Sequence, residues 1–201
     1  MITITGLALD PLLHVIGNMR EIDRREVDAC SPGEPAMHRA RRIRDATTHG
    51  ALFWFDGEPV AACGSAPIRS GVVALWALGT DAWPRVVMAM TRWLCRDMAP
   101  LLIAHGVHRV QCLSLSERMD TYKWVRRMGA RQEAVIPGFG SRGENFTLYA
   151  WTAADGTLHR FSQRRGGASR GGTGARPRDQ LHDGDAGASG RSDASAASVL
   201  L

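Results

Sequence analysis

The sequence predicts an α/β domain with a mixed, mostly antiparallel central sheet and helices on both faces. Three observations carry this. Segments with the two-residue alternation of strands and segments with helical spacing follow in the order β-α-α-β-β-β-α-β-α-β-β. Turn signals separate the consecutive strands in the first half of the chain. At 201 residues, the chain is long enough for one domain with a sizeable core and too short for two ordinary ones.

Met1 to Gly6 alternates β-branched residues and reads as a short first strand. Asp10-Pro11 supplies a cap followed by proline at the first helical position, opening a helix from Leu12 to about Val27. Its apolar stripe is Leu12, Val15, Ile16, Met19 and Ile22. Ser31-Pro32-Gly33 breaks the chain before a second helix, Pro35 to His49, whose Arg39, Arg41, Arg42 and Arg44 read as a solvated face rather than as an anion site. Strands follow at 51–55 and 58–65, joined by Asp56-Gly57, a type I′ hairpin signal. The continuous apolar run Val72 to Leu78 suits a central strand. A loop, 79–84, leads into a long helix from Arg85 to His105, which Pro100 is expected to kink or divide. A strand over 108–116 and a helix over 117–128, stopped by Gly129, come next. Strands over 132–136 and 145–151 close the pattern, which ends at Gly156.

These boundaries give a domain over residues 1–153 and a Gly/Arg/Ser-rich tail over 154–201. The tail composition cannot bury enough apolar surface to offset the entropy of ordering, so the tail is expected to be disordered. The formal charge of +5 is uneven: from Arg160 onward, seven arginines face four aspartates, and the rest of the chain is close to neutral. Arg164, Arg165, Arg170, Arg176 and Arg178 offer weak, salt-sensitive contact with nucleic acid but no aromatic partners for bases. The four cysteines, Cys30, Cys63, Cys95 and Cys112, form no CxxC pair and read as reduced thiols. The apolar stretch 86–107 is interrupted by Arg92, Arg96 and Asp97, so no membrane span is expected. His105 and His108 have metal-compatible spacing without an acidic partner, and no serine stands in a Gly-x-Ser-x-Gly context.

The last third carries a resemblance. His108 to Ser116, Trp124-Val-Arg-Arg-Met-Gly-Ala-Arg-Gln-Glu133 and Gly143-Glu-Asn-Phe-Thr-Leu-Tyr149 resemble the fifth strand, the helix-to-glycine turn and the closing strand of the GCN5-related N-acetyltransferase (GNAT) fold. The likeness covers about three quarters of the chain. Trp76-Ala-Leu-Gly-Thr80 with its following Trp-Pro, and Gly129-Ala130, resemble a phage branch of that fold, the internal virion protein A type.

The resemblance implies acetyl-CoA as cofactor if the chain is active, held at Leu78, Gly79, Thr80 and Arg85. The loop Thr80-Asp-Ala-Trp-Pro-Arg85 lacks the glycines that let backbone approach a diphosphate, and it carries a repelling Asp81. Val72 to Leu78 contain no base; Asp81 and Glu133 are the nearest carboxylates. Val125 stands where the family places a tyrosine acid, and Arg118 near the position of its asparagine, leaving Tyr122 as a displaced candidate acid. The expectation is therefore a scaffold with no cofactor or catalytic activity, a component of a virion or of the host cytoplasm. It would contact other virion or assembly proteins through its surface and tail. The alternative is a working acetyl-CoA-dependent N-acetyltransferase with an atypical cofactor loop.

Overall fold

A computed structural model describes residues 1–164. Seven strands form one sheet in the order β1-β2-β3-β4-β5-β7-β6. They are β1 Ile2–Gly6, β2 His49–Phe55, β3 Glu58–Arg69, β4 Val72–Gly79, β5 Arg109–Leu115, β6 Arg131–Ile136 and β7 Phe146–Thr152. Every neighbouring pair is antiparallel except β4 and β5, which are parallel. The predicted α/β class and mixed, mostly antiparallel sheet are those observed. Both Asp56 and Gly57 have positive φ, 51° and 87°, as a type I′ turn requires.

Strand alternation sorts the core onto two faces. Phe53, Ala61 and Leu75 pack with Met90, Leu94 and Leu102 on one face, while their neighbours Leu52, Ala62 and Trp76 pack with Leu12, Ile16 and Ile43 on the other. The second face is covered by α1 Leu9–Gly17, α2 Glu21–Cys30 and α3 Ala36–Ala46. The first is covered by α4 Val87–Trp93, α5 Ala99–Ala104, α6 Met119–Arg127 and α7 Thr157–Gln163.

Several expectations need correcting. The single helix over 12–27 is two helices, because the chain leaves helical geometry at Asn18 and Met19 bridges to Thr80. Leu12, Val15, Ile16 and Met19 are buried as expected, but the break changes the helical phase. Beyond it Asp23, Glu26 and Val27 face inward while Ile22 is half-buried. Nor is the arginine set of α3 a solvated face throughout. Arg39 is 5% exposed and bonds Glu34, Asp28 and the Ser31 carbonyl. Arg42 grips Glu34 with Nε at 2.9 Å and Nη2 at 2.8 Å. The Arg42 bond is the largest influence on the Glu34 carboxyl, which is lowered to about 2.

The long helix is divided at Pro100, as expected, and Pro100 stands in the first turn of the second part, α5. A π-helical turn, Leu94–Met98, precedes Pro100 and links α4 to α5. Local wide turns of this kind re-route bonds where a proline cannot donate.

The periodic pattern does not stop at Gly156. The expected domain limit of 153 falls in the turn before α7, whose Leu158 and Phe161 are fully buried. Phe161 stacks on Trp151 at 4.9 Å. Asp155 accepts the Thr157 N–H at 2.9 Å and its hydroxyl at 2.6 Å, fixing the helix start. The tail readings for Arg165, Arg170, Arg176 and Arg178 lie outside the described residues. No helix among the described residues is long and apolar enough to cross a membrane, and all four cysteines are free.

Candidate functional site

The site begins where the parallel pair ends. Strands β4 and β5 run together only from Val72–Ala74 against Arg109–Gln111. Past that point β4 stays on β3 to Gly79, and β5 stays on β7 to Leu115. The sheet is therefore intact on each side of a widening gap. Thr80 N–H bonds Val60 on β3 at 2.8 Å, whereas Gly79 turns its main chain the other way, toward the gap. Because strand main-chain groups alternate direction, Ala77 faces the gap as well.

Helix α2 closes one end of this gap with two carboxylates. Asp23 accepts the Gly79 N–H at 3.0 Å, at the end of β4. Glu26 accepts the Leu115 N–H at 2.9 Å and the Ser114 hydroxyl at 2.6 Å, at the end of β5. Buried Arg118 joins them, 3.0 Å from Asp23 and 3.2 Å from Glu26, and reaches Asp120 at 3.0 Å. Burial raises the Glu26 carboxyl above its ordinary range, outweighing the opposing pull of Arg118, Ser114 and Leu115. Burial would raise Asp120 too, but its bond and charge contact with Arg118, helped by Arg20, hold it low.

A cavity of about 570 Å³ occupies the gap. Its lining takes Leu75, Ala77 and Cys112 from one face of the sheet and Trp76, Leu78 and Leu113 from the other, so it passes through the sheet. On the α4–α6 side it meets Trp83, Val87, Met88, Thr91, Lys123, Trp124, Arg127 and Arg164. On the α1–α3 side it meets Arg20, Glu26, Val27, Arg42 and Ile43. Lys123 and Arg127 are exposed one helical turn apart on α6, and neither has an ion-pair partner among the described residues. Burial pushes the Cys112 thiol up to about 12, so it stays protonated and is no nucleophile at neutral pH.

The structure brings together only some of the residues that the sequence singled out. Leu78 lines the cavity. Gly79 is at its edge, with its N–H taken by Asp23 and its carbonyl by the Arg20 N–H. Thr80 turns back to β3, its hydroxyl accepting the Ala82 N–H at 3.3 Å. Arg85 lies outside the cavity lining, with its guanidinium 5.0 Å from the Phe55 ring. Trp83 is half-buried; its ring presses on Gly79 so closely that a Cβ there would lie 2.3 Å from Cε3. Arg20 stacks on Trp83 at 4.3 Å, and Trp124 meets it edge-on at 5.5 Å. Tyr122 is packed beside the cavity rather than lining it, with its ring 6.4 Å from that of Tyr149, the cross-strand partner of Cys112. Glu133 is spent on Arg109 at 2.5 Å, and Asp81 is exposed. Arg164, the last described residue, lines the cavity.

Sequence reasoning passed over Glu26 and Asp23, placed Arg118 only by its position in the resemblance, and read Arg42 as a solvated residue rather than part of an anion site. The available signal was the acidic i, i+3 pair Asp23 and Glu26 beside inward-facing Val27, which a continuous-helix reading had placed out of phase. Among the described residues no cluster of His, Cys, Asp or Glu has metal-site geometry.

No family model matches the sequence, and no curated protein does. Solved structures do match in shape, 276 chains in all. A GNAT superfamily phosphinothricin acetyltransferase from Sinorhizobium meliloti, in complex with AcCoA, superposes with a TM-score of 0.61 at 11% identity over 75% of this chain and 88% of its own. The ribosomal-protein-S18-alanine N-acetyltransferase from Escherichia coli gives 0.56 at 13% identity over 75% and 92%. An aminoglycoside 6'-acetyltransferase type Ii gives 0.55 at 11% over 75% and 96%. These descriptions name acetyltransferases and lend no support to a virion role. At such identities the likeness is one of fold, and the chain has the fold of the GCN5-related N-acetyltransferases.

Proposed function

We propose that the chain is an acyl-CoA-dependent N-acyltransferase with an atypical cofactor loop. The observation that carries this is the cavity through the sheet at the parting of β4 and β5, open to residues of both faces. Such a passage lets an acyl donor and an amine meet end to end from opposite sides, which is what direct transfer needs. Acetyl-CoA, when bound, supplies the acyl thioester. The gap-facing main chain of Ala77 offers an extended amide-bearing arm the hydrogen bonds of a missing strand. Lys123 and Arg127 supply positive charge on the α4–α6 side, where the loop before α4 supplies little.

Glu26 is the base on the opposite side. Burial raises its pKa above the ordinary carboxylate value and so makes it the stronger base, placed to take a proton from an ammonium group, directly or through one water. Tyr122 remains the proposed proton donor to the departing thiolate, working from beside the cavity.

Calorimetry with acetyl-CoA on the full chain tests the reading. Binding at micromolar affinity with one site per chain is expected, together with turnover of an amine. Absence of binding at millimolar acetyl-CoA would refute it. That result would favour the second reading, a non-catalytic scaffold working through protein contacts in a virion. The observation behind the second reading is the Trp83 ring lying on Gly79, which crowds the main chain that a diphosphate would approach.

A further inference from the structure

The α1–α3 end of the cavity contains a second unbalanced group. Arg42 spends Nε and Nη2 on Glu34, and Nη1 is buried without a protein partner while the side chain lines the cavity. An unpaired buried donor costs stability until an acceptor meets it, and a guanidinium corner is best met by a carboxylate oxygen. Glu26 lines the same end, and both groups act on the ionisation of Cys30, so they share one neighbourhood. Between them the wall is apolar: Val27, Ile43, Trp76 and Leu78.

We infer that the acceptor is a small α-amino acid with an apolar side chain, its carboxylate received by Arg42 Nη1 and its amine by Glu26. This rests on the acyltransferase reading and names the substrate class of that site. One anion-seeking and one cation-seeking group on either side of an apolar wall match a zwitterion with a hydrophobic side chain. A simple amine would leave the Arg42 donor unmet, and a site built to bond a polar group rejects the analogue that lacks it. The reaction balances without a further reagent. The ammonium gives one proton to Glu26, the freed nitrogen forms the new bond to the acyl carbon, and the carbon–sulfur bond breaks; the thiolate takes its proton from Tyr122, which is made good by the second proton that nitrogen loses as the amide forms.

The test is ligand-observed NMR on the full chain, with and without coenzyme A. The probes are alanine, valine, leucine, methionine and phenylalanine, each beside its carboxamide and its decarboxylated amine. At least one acid should bind about tenfold or more tightly than its carboxamide. Arg42→Gln should erase that preference while leaving carboxamide binding in place. Arg42→Lys, which keeps a charge opposite Glu34, guards against a folding defect, and it should weaken the acid as well. Equal binding of acid and carboxamide to the native chain overturns the inference, as does failure of every acid in both conditions. The coenzyme A signal is read separately. Donor binding with no acid preference removes this inference alone, whereas acid-specific binding without donor binding supports the pocket and removes the transferase reading.

Discussion

At the scale of single residues, the site depends on how the ends of two parted strands are satisfied. The Gly79 and Leu115 N–H groups lost a neighbouring strand when β4 and β5 separated, and buried donors must find acceptors. Asp23 and Glu26 supply them, and Arg118 offsets the resulting charge. Glu26 is the less balanced of the two, and burial raises its carboxyl. Glu26→Gln keeps the shape and the acceptor oxygen but removes the base. It should lower kcat/KM by about 10² to 10⁴-fold and abolish the acidic limb of the pH–rate profile, whose apparent pKa should exceed 4.5. An unchanged limb would take Glu26 out of the reaction. Stability supplies an independent readout. The folded chain holds this proton more tightly than the unfolded one, so the contribution is present below pH 4.5 and is lost as pH rises through the folded value. Urea denaturation across that window should show a shallower fall for Glu26→Gln than for the native chain.

At the scale of elements, local signals were legible wherever one rule governed. The Asp56-Gly57 hairpin, the stop at Gly129 with φ 94° and the central strand after Gly71 follow from turn chemistry and apolar runs. The two helices at the start were not separable, because Leu12 to Met19 and Ile22 fit one stripe until a bridge from Met19 to Thr80 interrupts it. That break turns Asp23 and Glu26 inward, and only the tertiary contact with β4 reveals it. Tyr122 and the glycine-poor loop were visible, but the positive charge proposed to compensate for that loop was not. Helix α6 places Lys123 and Arg127 on the cavity one turn apart, a pairing that has meaning only once the helix faces the gap. If they hold donor phosphates, the double substitution Lys123→Glu, Arg127→Glu should weaken acetyl-CoA by at least about tenfold and flatten the salt dependence of binding. Pantetheine, which lacks phosphates, should bind both forms alike. Equal loss for both ligands in calorimetry would show that α6 has been disrupted rather than discharged.

At the scale of the whole molecule, the parted sheet needs support that its own ladder does not give. Three paired residues join the β1–β4 half to the β5–β7 half, and packing across the sheet faces must hold the remainder together. On one face α2 bridges the halves through Asp23 and Glu26. On the other, α7 packs on β7 while also touching the π-helical turn and α5, so it ties β7 to the helix that follows β4. The sequence hid this because Thr157 to Gln163 is short and is followed at once by Gly/Arg-rich chain, where composition masks one buried turn. Phe161 is the test of the bridge, being fully buried and stacked on Trp151, whose indole N–H bonds the Met128 carbonyl at 3.0 Å. Phe161→Ala should cost about 3–5 kcal/mol, mostly as lost burial and an unfilled cavity. A chain ending at Ala153 should fail to reach a cooperative native state. Because the loss would fall on the junction that keeps the gap in register, acetyl-CoA should weaken in Phe161→Ala even at temperatures where its circular dichroism is native. A destabilised variant that binds donor with native affinity would show that α7 serves only the core, and that α2 and the short parallel ladder alone set the width of the gap.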